Sequence, residues 1–347
     1  MRFRLHRFCA LLILFACSPS NEAVTTEDSE SSLSSYHDSS ERDDRFTGGI
    51  TMVPIQTSFG EFSVYTKRMG NNPDIKLLFL HGGPGATHEY FLPADSYLPG
   101  AGVEYYYYDQ LGSFLSDQPD DPALLDIDRF VDEVEQVRQA LGLGPDNFYL
   151  LGHSWGGILA MEYALAHQDK LKGLIISNMM SDCPAYGRYA HEVLGPGLGD
   201  DIYQQILAFE EAEDFGNPDY LHIMEEIHYP KHVLRLPPED WPAPVINAFG
   251  HLNPDVYVPM QGPSEFGIRG LLADWSVTDR LPEIEVPTLV IAGRHDTMDP
   301  AHMEMMAESL PQGELLMCED GSHMAMYDDQ ETYFNGLIEF MQSVDAQ

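Results

Sequence analysis

The segment from Phe148 to Ala166 constrains the fold of this chain more than any other part of its sequence. A short apolar run, Phe148–Leu151, is followed by Gly152-His153-Ser154-Trp155-Gly156-Gly157 and then by a segment of helical character. A serine between glycines at a strand-to-helix junction is typical of a sharp turn that exposes the hydroxyl above a sheet, because only small neighbours fit such a turn. The plainer interpretation is a glycine-rich turn with an incidental serine. The strand before it and the helix after it favour Ser154 as a nucleophile.

Short apolar runs at wide intervals indicate the strands of a buried sheet. Helical segments separate them, such as Ile127–Leu141, whose apolar residues have helical spacing and which Gly142 ends. Parallel strands that helices connect are buried on both faces and carry continuous apolar runs. An alternating segment from Thr51 to Arg68 predicts a hairpin. The chain is therefore predicted to be of the α/β class, with a mostly parallel sheet built from Lys76–Leu80, Val103–Tyr108, Phe148–Leu151, Leu174–Ser177, Thr288–Ala292 and Glu314–Cys318.

A glycine-rich loop, His81-Gly82-Gly83-Pro84-Gly85, directly follows the first of these runs. Glycines let the backbone turn its amides toward a substrate oxygen. The N–H of Gly83, together with that of Trp155, is therefore predicted to form an oxyanion hole. His81 could be taken for a catalytic base, but the preferred interpretation is a structural residue that hydrogen-bonds the loop.

The loops after the last two predicted strands supply the partners that a serine nucleophile needs. Asp296 follows the run Thr288–Ala292, and His323 follows the run Glu314–Cys318. In this chemistry the histidine takes the serine proton, and the aspartate orients the imidazole and stabilises its cation. The chain order Ser, Asp, His is the one used when the serine stands on such a turn. We therefore predict Ser154, Asp296 and His323 as the catalytic residues. Their position after strands favours them over the rivals His295, Asp299, Asp320 and Asp328.

The strand rhythm disappears between residues 182 and 276. This stretch carries proline, aromatic and acidic residues with weak helical patterns. It is predicted to be a helical cap inserted over the sheet, with the core formed by residues 48–181 and 277–347.

The charge of the chain limits its partners. It has 56 acidic and 18 basic residues, for a formal net charge of −38. Such a surface repels nucleic acid and anionic membrane, so neither is an expected partner. The sequence has no phosphate-binding loop, dinucleotide fingerprint or cysteine–histidine metal spacing, and no cofactor or metal is expected. The oligomeric state stays open.

The amino terminus has the layout of an export signal. Arg2, Arg4 and Arg7 precede an apolar stretch, residues 8–16, that is too short to span a bilayer. The signal is predicted to end at Cys17, in a stretch that resembles a bacterial lipoprotein box and would make Cys17 the lipidated residue. Phe15 is larger than usual in that box, so simple secretion remains an alternative. The predicted location is the cell envelope, otherwise the periplasm or the medium.

Residues 18–47 are rich in Ser, Asp and Glu and poor in large apolar side chains, so they are predicted to form an unstructured tether. Only Cys183 and Cys318 lie in the part predicted to fold. Whether these two cysteines pair is left open by the sequence.

The segment His81–Gly85 and the turn at Ser154 together resemble the prolyl aminopeptidase (proline iminopeptidase) family of serine peptidases, which have the α/β-hydrolase fold with an inserted helical cap. The resemblance runs from about residue 52 to residue 341. Asp109-Gln110-Leu111-Gly112 matches that family, and Gly262–Phe266 with Asp274-Trp275 resembles its tricorn-associated aminopeptidase branch. The resemblance implies removal of N-terminal residues from short peptides, with a preference for proline but no restriction to it.

The resemblance also implies a role for Glu265, which matches the amine-binding position of the family. A carboxylate there would bind the free α-ammonium group of the substrate and fix the distance to the scissile bond. A second acidic residue is implied, with Glu225 and Glu226 as candidates. In a chain this acidic, a solvated surface carboxylate is the plainer interpretation of each. The family pattern breaks at Ser113–Ser116, where Phe114 and Leu115 are predicted to reshape the pocket entrance.

Two other functions compete with a serine exopeptidase that forms an acyl-enzyme on Ser154. A carboxylesterase or lactonase would use the same three catalytic residues and would leave the amine-binding glutamate without a role. A non-catalytic envelope binding protein built on a decayed hydrolase is the other alternative. The intact set of Ser154, Asp296 and His323 argues against decay, and Ser154 excludes the hydrolases of this fold that use a carboxylate nucleophile.

Overall fold

The computed structural model describes residues 34–347. The predicted export signal, Cys17 and the first part of the predicted tether lie outside the described residues. The sheet has eight strands in the order β1-β2-β4-β3-β5-β6-β7-β8. β2 pairs antiparallel with β1 and β4, and all other neighbours are parallel. The strands are Ile50–Thr57 (β1), Gly60–Met69 (β2), Lys76–Leu80 (β3), Glu104–Asp109 (β4), Phe148–His153 (β5), Gly173–Ser177 (β6), Thr288–Gly293 (β7) and Gly313–Cys318 (β8).

Helices connect the parallel strands and fill the segment between β6 and β7. The α-helices are Ile127–Leu141 (α1), Trp155–His167 (α2), Cys183–Tyr189 (α3), Gly195–Gly197 (α4), Asp200–Glu211 (α5), Pro218–His222 (α6), Tyr229–His232 (α7), Ala243–Gly250 (α8), Pro254–Met260 (α9), Pro300–Ser309 (α10), Ala325–Asp328 (α11) and Gln330–Asp345 (α12). The chain also forms π-helical turns at Ala190–Leu194 and Ile223–His228, and 3-10 helices at Asp43–Thr47, His88–Ser96, Pro99–Ala101, Pro122–Leu124, Gln168–Lys170, Pro238–Asp240 and Thr278–Glu283.

The core has two apolar layers, one on each face of the sheet. Alternate residues of a strand point to opposite faces. Leu78 of β3 accordingly packs in the layer that contains Phe130 of α1. Phe79, its neighbour in the strand, packs in the layer that contains Phe334 of α12. Burial on both faces explains the continuous apolar runs, and the prediction of a mostly parallel α/β sheet is confirmed.

Helix α1 has the predicted bounds, and local chemistry explains both ends. The Asp126 carboxylate accepts a hydrogen bond from the backbone N–H of Arg129 at 3.1 Å, which caps the first turn. Gly142 ends the helix in the left-handed conformation, with φ of 66°.

The segment between β6 and β7 leaves and re-enters the sheet region at one place. Asp182 and Ser276 form an isolated antiparallel bridge. The N–H of Cys183 also donates to the carbonyl of Trp275 at 2.9 Å. In the described chain, no strand of the sheet lies between Ser177 and Thr288. The division into a core and a cap at residues 182 and 276 stays a prediction.

The prediction of an unstructured tether is wrong for residues 34–47, which pack against the body. Tyr36 is 5% exposed, and its hydroxyl donates to the carbonyl of Val103 at 2.8 Å. Arg42 forms an ion pair of 2.7 Å with the buried Glu104. Composition averaged over the segment missed this, because one aromatic residue and one buried ion pair are enough to order a short stretch against an existing surface.

Cys183 and Cys318 are free, buried thiols. Burial raises the pKa of both, so they stay protonated and behave as small apolar side chains. Within residues 34–347, no helix has the length and apolar character needed to cross a bilayer.

Candidate active site

The predicted nucleophile stands on a strained turn. Ser154 lies between the end of β5 and the start of α2, with φ of 56° and ψ of −126°. A positive φ costs energy in a residue other than glycine, and such strain is typical of functional positions. The N–H of Ser154 donates to the carbonyl of Ser177 on the neighbouring strand at 3.1 Å. The surrounding structure therefore holds the turn in place.

Two glycines make this turn possible. A β-carbon on Gly152 would lie 1.9 Å from the carbonyl oxygen of Gly156. A β-carbon on Gly156 would in turn lie 2.1 Å from the carbonyl oxygen of Leu80. Both contacts are with backbone, which cannot move aside as a flexible side chain can. The small residues that flank the serine are therefore a steric requirement.

Replacing Gly152 with alanine is expected to destabilise the protein by about 3 kcal/mol or more, because the new methyl group overlaps backbone. Urea unfolding measures the loss. Gly187→Ala is the matched control, since Gly187 lies in helix α3 and its added β-carbon meets nothing within 4 Å. That change should be neutral or stabilise by up to about 1 kcal/mol. Equal unfolding midpoints for the two variants would contradict the steric account.

His323 and Asp296 form a buried hydrogen-bonded pair. His323 Nδ1 donates to Asp296 Oδ1 at 2.8 Å. The other carboxylate oxygen accepts from Asn178 Nδ2 at 2.7 Å, and Oδ1 also accepts from the Met298 N–H at 3.1 Å. The loops after β7 and β8 therefore meet as expected for the carboxyl ends of adjacent parallel strands.

Each member of this pair shifts the pKa of the other. Burial alone would raise the pKa of Asp296, but the imidazole of His323 and the hydrogen bonds outweigh burial and lower it. Burial alone would lower the pKa of His323, but the Asp296 carboxylate outweighs burial and raises it. The pair therefore favours an ionised carboxylate that stabilises an imidazolium.

Replacing Asp296 with asparagine is expected to move the pH profile of activity. A base must be neutral, so the activity of the parent protein should rise as pH increases through the raised pKa of His323. Loss of the carboxylate charge lowers that pKa. The acidic limb of kcat/KM should therefore move to lower pH, and kcat should fall by about 10⁴-fold. An acidic limb that does not move would show that Asp296 does not set the pKa of the base.

The predicted oxyanion loop lies directly against the nucleophile. A β-carbon on Gly82 would lie 2.8 Å from Ser154 Cβ. The N–H of Gly82 donates to the hydroxyl of Tyr90 at 2.5 Å, which fixes the loop. Within the described chain, the backbone amides of Gly83 and Trp155 donate to no protein acceptor. Their role as oxyanion donors stays a prediction that this geometry favours.

His81 occupies a structural position. Its Nδ1 donates to the carbonyl of Gly82 at 2.9 Å, and its Nε2 accepts from the N–H of Gln110 at 3.1 Å. Burial lowers the pKa of His81 to about 4. The neutral ring therefore has both nitrogens occupied and no free lone pair for catalysis.

The aspartates that rivalled Asp296 by sequence serve local structure. Asp299 caps helix α10, accepting from the N–H of Ala301 at 3.0 Å. Asp328 accepts from the N–H of Ser322 at 3.0 Å and so braces the loop that carries His323.

Ser154 and His323 line one cavity of about 290 Å³. Gly83 and Tyr90 lie in its wall, which is otherwise mostly apolar, with Phe249, Leu252, Val258 and Met324 among the lining residues. Two carboxylates, those of Glu265 and Glu225, interrupt this apolar wall. In the described chain, no cluster of three or more His, Cys, Asp or Glu side chains could hold a metal ion.

Glu265 is held among tyrosines. The hydroxyl of Tyr257 donates to Glu265 Oε1 at 2.5 Å, and the N–H of Glu265 donates to the hydroxyl of Tyr229 at 3.3 Å. Burial raises the pKa of Glu265, although the charge of His323 and the Tyr257 hydrogen bond oppose that rise. A carboxylate in such surroundings gains most from a cation that enters the cavity.

The structure separates the two candidates for a second acidic residue. Both glutamates are exposed, but Glu225 lines the cavity and Glu226 does not. Phe114 and Leu115 also lie outside the lining. Phe114 instead stacks on His251, with ring centroids 3.9 Å apart.

Sequence reasoning missed several residues of this site. Asn178, which holds the Asp296 carboxylate, directly follows β6 and has a positive φ of 52°. Its position after a strand was a usable signal, because the carboxyl ends of parallel strands meet at one edge of the sheet. Tyr90, Tyr229 and Tyr257 carried no comparable signal in a chain with 18 tyrosines.

A sheet of this order, with a serine on a strained strand-to-helix turn and a buried Asp–His pair at the same edge, defines the α/β-hydrolase class. Residues 77–335 match the model of the alpha/beta hydrolase family. The chain is 51% identical over 296 residues to a proline iminopeptidase of Flavobacterium johnsoniae, covering 85% of this chain and 99% of the relative. It is 48% identical over 298 residues to one of Elizabethkingia meningoseptica, covering 85% and 99%.

A solved structure agrees with these relatives. The crystal structure of a proline iminopeptidase from Mycobacterium smegmatis superposes with a TM-score of 0.76 at 30% identity, covering 86% of this chain and 99% of the other. The chain belongs to the proline iminopeptidase family of α/β-hydrolases.

Proposed function

We propose that the protein is a serine aminopeptidase that releases N-terminal proline, or another apolar residue, from short peptides. The observation that carries this proposal is the composition of the cavity. A nucleophile and its base share an apolar cavity of about 290 Å³ with the carboxylates of Glu265 and Glu225. An apolar pocket with a local negative charge is complementary to a proline ring that carries a secondary ammonium group.

Catalysis proceeds in two halves on Ser154. His323 accepts the hydroxyl proton while Ser154 Oγ bonds to the carbonyl carbon of the first residue, and the carbonyl oxygen becomes an oxyanion. The amide of Gly83, in the loop after β3, and the amide of Trp155, at the start of helix α2, stabilise that oxyanion. His323 then donates its proton to the leaving nitrogen, the peptide C–N bond breaks, and an acyl-enzyme remains. Water attacks with His323 again as base, and the free amino acid leaves.

The carboxylates restrict cleavage to the first peptide bond. Glu265 binds the substrate ammonium group, which fixes the distance from the amino terminus to the carbonyl carbon that Ser154 attacks. A substrate that extends further toward its amino terminus would place an amide, which has no charge, against Glu265. Peptides with a blocked or extended amino terminus are therefore poor substrates.

A substrate panel tests the proposal on the mature protein. It compares proline para-nitroanilide with a free amino terminus, the same anilide acetylated, and a para-nitrophenyl ester without an amine. Cleavage of the free anilide with little cleavage of the acetylated one is expected. Ester hydrolysis without cleavage of either anilide would replace the proposal with a carboxylesterase or lactonase.

We propose further that the protein is exported and anchored to the cell envelope by a lipid on Cys17. The supporting features are the basic, apolar and cysteine-ending pattern of residues 1–17 and the acidic segment that follows it. Expression of the full chain in a bacterium supplied with labelled palmitate tests this. The parent protein is expected to carry the label, and Cys17→Ala is expected to lose it. An unlabelled parent protein released to the medium would instead indicate simple secretion without an anchor.

A further inference from the structure

A second cavity lies beside the one that contains Ser154. It has a volume of about 540 Å³ and is lined by residues of three segments, 189–197, 230–235 and 294–295. Tyr229 and Val233 line the first cavity, whereas Pro230, Lys231 and His232 between them line the second. The two cavities therefore share one short wall but no lining residue.

The charge of this second cavity is opposite to that of the chain. Its wall carries Lys231, Arg235 and Arg294 together with two histidines, and none of the described residues that line it is acidic. Acidic residues outnumber basic ones by 56 to 18 in the whole sequence. In a chain of this composition, a surface chosen at random would carry more acidic than basic side chains. The lining of this cavity has three cations and no carboxylate, which is the reverse. We call it the basic cavity.

Two of the three cations have no ionic partner in the described chain. Lys231 is exposed and forms no ion pair, and Arg235 Nη1 donates to the backbone carbonyl of Asp320 at 2.9 Å. Arg294 is already paired, with Glu319 at 2.8 Å and Glu304 at 3.6 Å. Lys231 and Arg235 are thus the groups with charge available to a ligand.

The Asp328 carboxylate offsets part of the charge of Arg235, since the guanidinium opposes the rise that burial causes in the pKa of Asp328. Asp328 faces the backbone of Arg235, accepting its N–H at 3.1 Å, but the same carboxylate also holds Ser322. Asp320 contributes its backbone carbonyl to Arg235. Neither aspartate lines the basic cavity, although the charges of both act on His295, which does.

Part of the lining of the basic cavity is apolar. Tyr189, Val193 and Leu194 form it, and Val193 is 51% exposed, which is unfavourable in water for a side chain of this kind. A ligand that carried only a charge would leave these apolar side chains exposed to water. A ligand with an anionic end and an apolar body would contact both the cations and the apolar side chains.

We propose that the basic cavity binds an organic carboxylate attached to an apolar side group, of the kind found at the C-terminus of a peptide that ends in an apolar residue. The carboxylate contacts Lys231 and the guanidinium of Arg235, whose planar fork matches a carboxylate with two parallel hydrogen bonds. The apolar group packs on Val193 and Tyr189. This binding site is independent of the amine-binding carboxylates in the first cavity.

Calorimetric titration with N-acetyl-leucine tests this inference on the intact protein. Acetylation removes the amine that Glu265 would attract, and the free carboxylate is repelled by the acidic first cavity. Measurable binding is expected for N-acetyl-leucine and not for N-acetyl-leucinamide, which lacks the charge. Stronger binding of inorganic phosphate than of N-acetyl-leucine would overturn the assignment of an apolar carboxylate.

The double variant Lys231→Gln/Arg235→Gln is expected to weaken binding of N-acetyl-leucine by about tenfold or more, because charge-assisted hydrogen bonds are lost. The matched control, Lys170→Gln/Arg280→Gln, removes the same charge at exposed positions outside the basic cavity. It should keep the parental affinity. Equal losses in the two variants would overturn the site, since they would show only a response to net charge. Binding is measured without turnover, so failure here leaves the aminopeptidase proposal standing.

Discussion

Replacing Ser154 with alanine is expected to abolish turnover, lowering kcat by about 10⁶-fold, as loss of the nucleophile does in serine peptidases. The reason is that no other serine, threonine or cysteine side chain lines the cavity in the described structure. The remaining rate would come from the oxyanion donors and from substrate positioning, which assist attack by water only weakly. Steady-state turnover of proline para-nitroanilide measures the loss.

Two controls separate a catalytic role of Ser154 from a structural one. The alanine variant should unfold at nearly the same urea concentration as the parent protein, because it changes one oxygen atom and keeps the backbone turn. Ser113→Ala removes a buried hydroxyl that has no hydrogen-bond partner in the described structure and does not line the cavity. That variant should keep near-parental kcat. Substantial turnover by Ser154→Ala would disprove the assignment of the nucleophile.

Replacing Glu265 with glutamine is expected to lower kcat/KM for the free proline anilide by about 100-fold. The reason is that the substrate ammonium group loses its ionic partner in the cavity. Glutamine has nearly the same shape and can still accept the hydrogen bond from Tyr257. Hydrolysis of a para-nitrophenyl ester without an amine should change little, because no cation takes part. The ratio of the two kcat/KM values isolates the contribution of the Glu265 charge to binding of the substrate amine.

Glu226→Gln is the control for this experiment. It makes the same chemical change three residues from the start of a π-helical turn, at an exposed position outside the cavity lining. We expect both substrates to be cleaved at parental rates. If Glu265→Gln instead lowered kcat/KM equally for the ester and the anilide, Glu265 would support the shape of the site and would not bind the substrate ammonium group.

The meeting of Ser154, Asp296 and His323 at one edge of the sheet could be predicted from sequence, because one geometric rule links distant residues. Parallel strands end at one edge, so the loops after Phe148–His153, Thr288–Gly293 and Gly313–Cys318 must meet there. Ser154, Asp296 and His323 each follow one of these strands. Their meeting therefore required only that the strands be recognised, and continuous apolar runs identified them.

The part of the cavity wall that comes from residues 182–276 was harder to predict, because no such rule applies to that segment. Short helices and π-helical turns interrupt the periodicity there, and Glu225 and Glu226 lie in one such turn, Ile223–His228. Neighbouring residues in a helix point about 100° apart, so a small error in register exchanges a cavity residue for a surface one. The composition of residues 34–47 was misleading for a different reason. The contacts of one buried side chain, Tyr36, hold this segment on the body although its neighbours are polar.

Residues 34–47 dock at the edge of the sheet opposite to the one that carries Ser154. Tyr36 and Arg42 contact Val103 and Glu104, at the amino end of strand β4, whereas Ser154 follows the carboxyl end of strand β5. None of these four contact residues lines the cavity, so the contacts that hold residues 34–47 are separate from the site at Ser154.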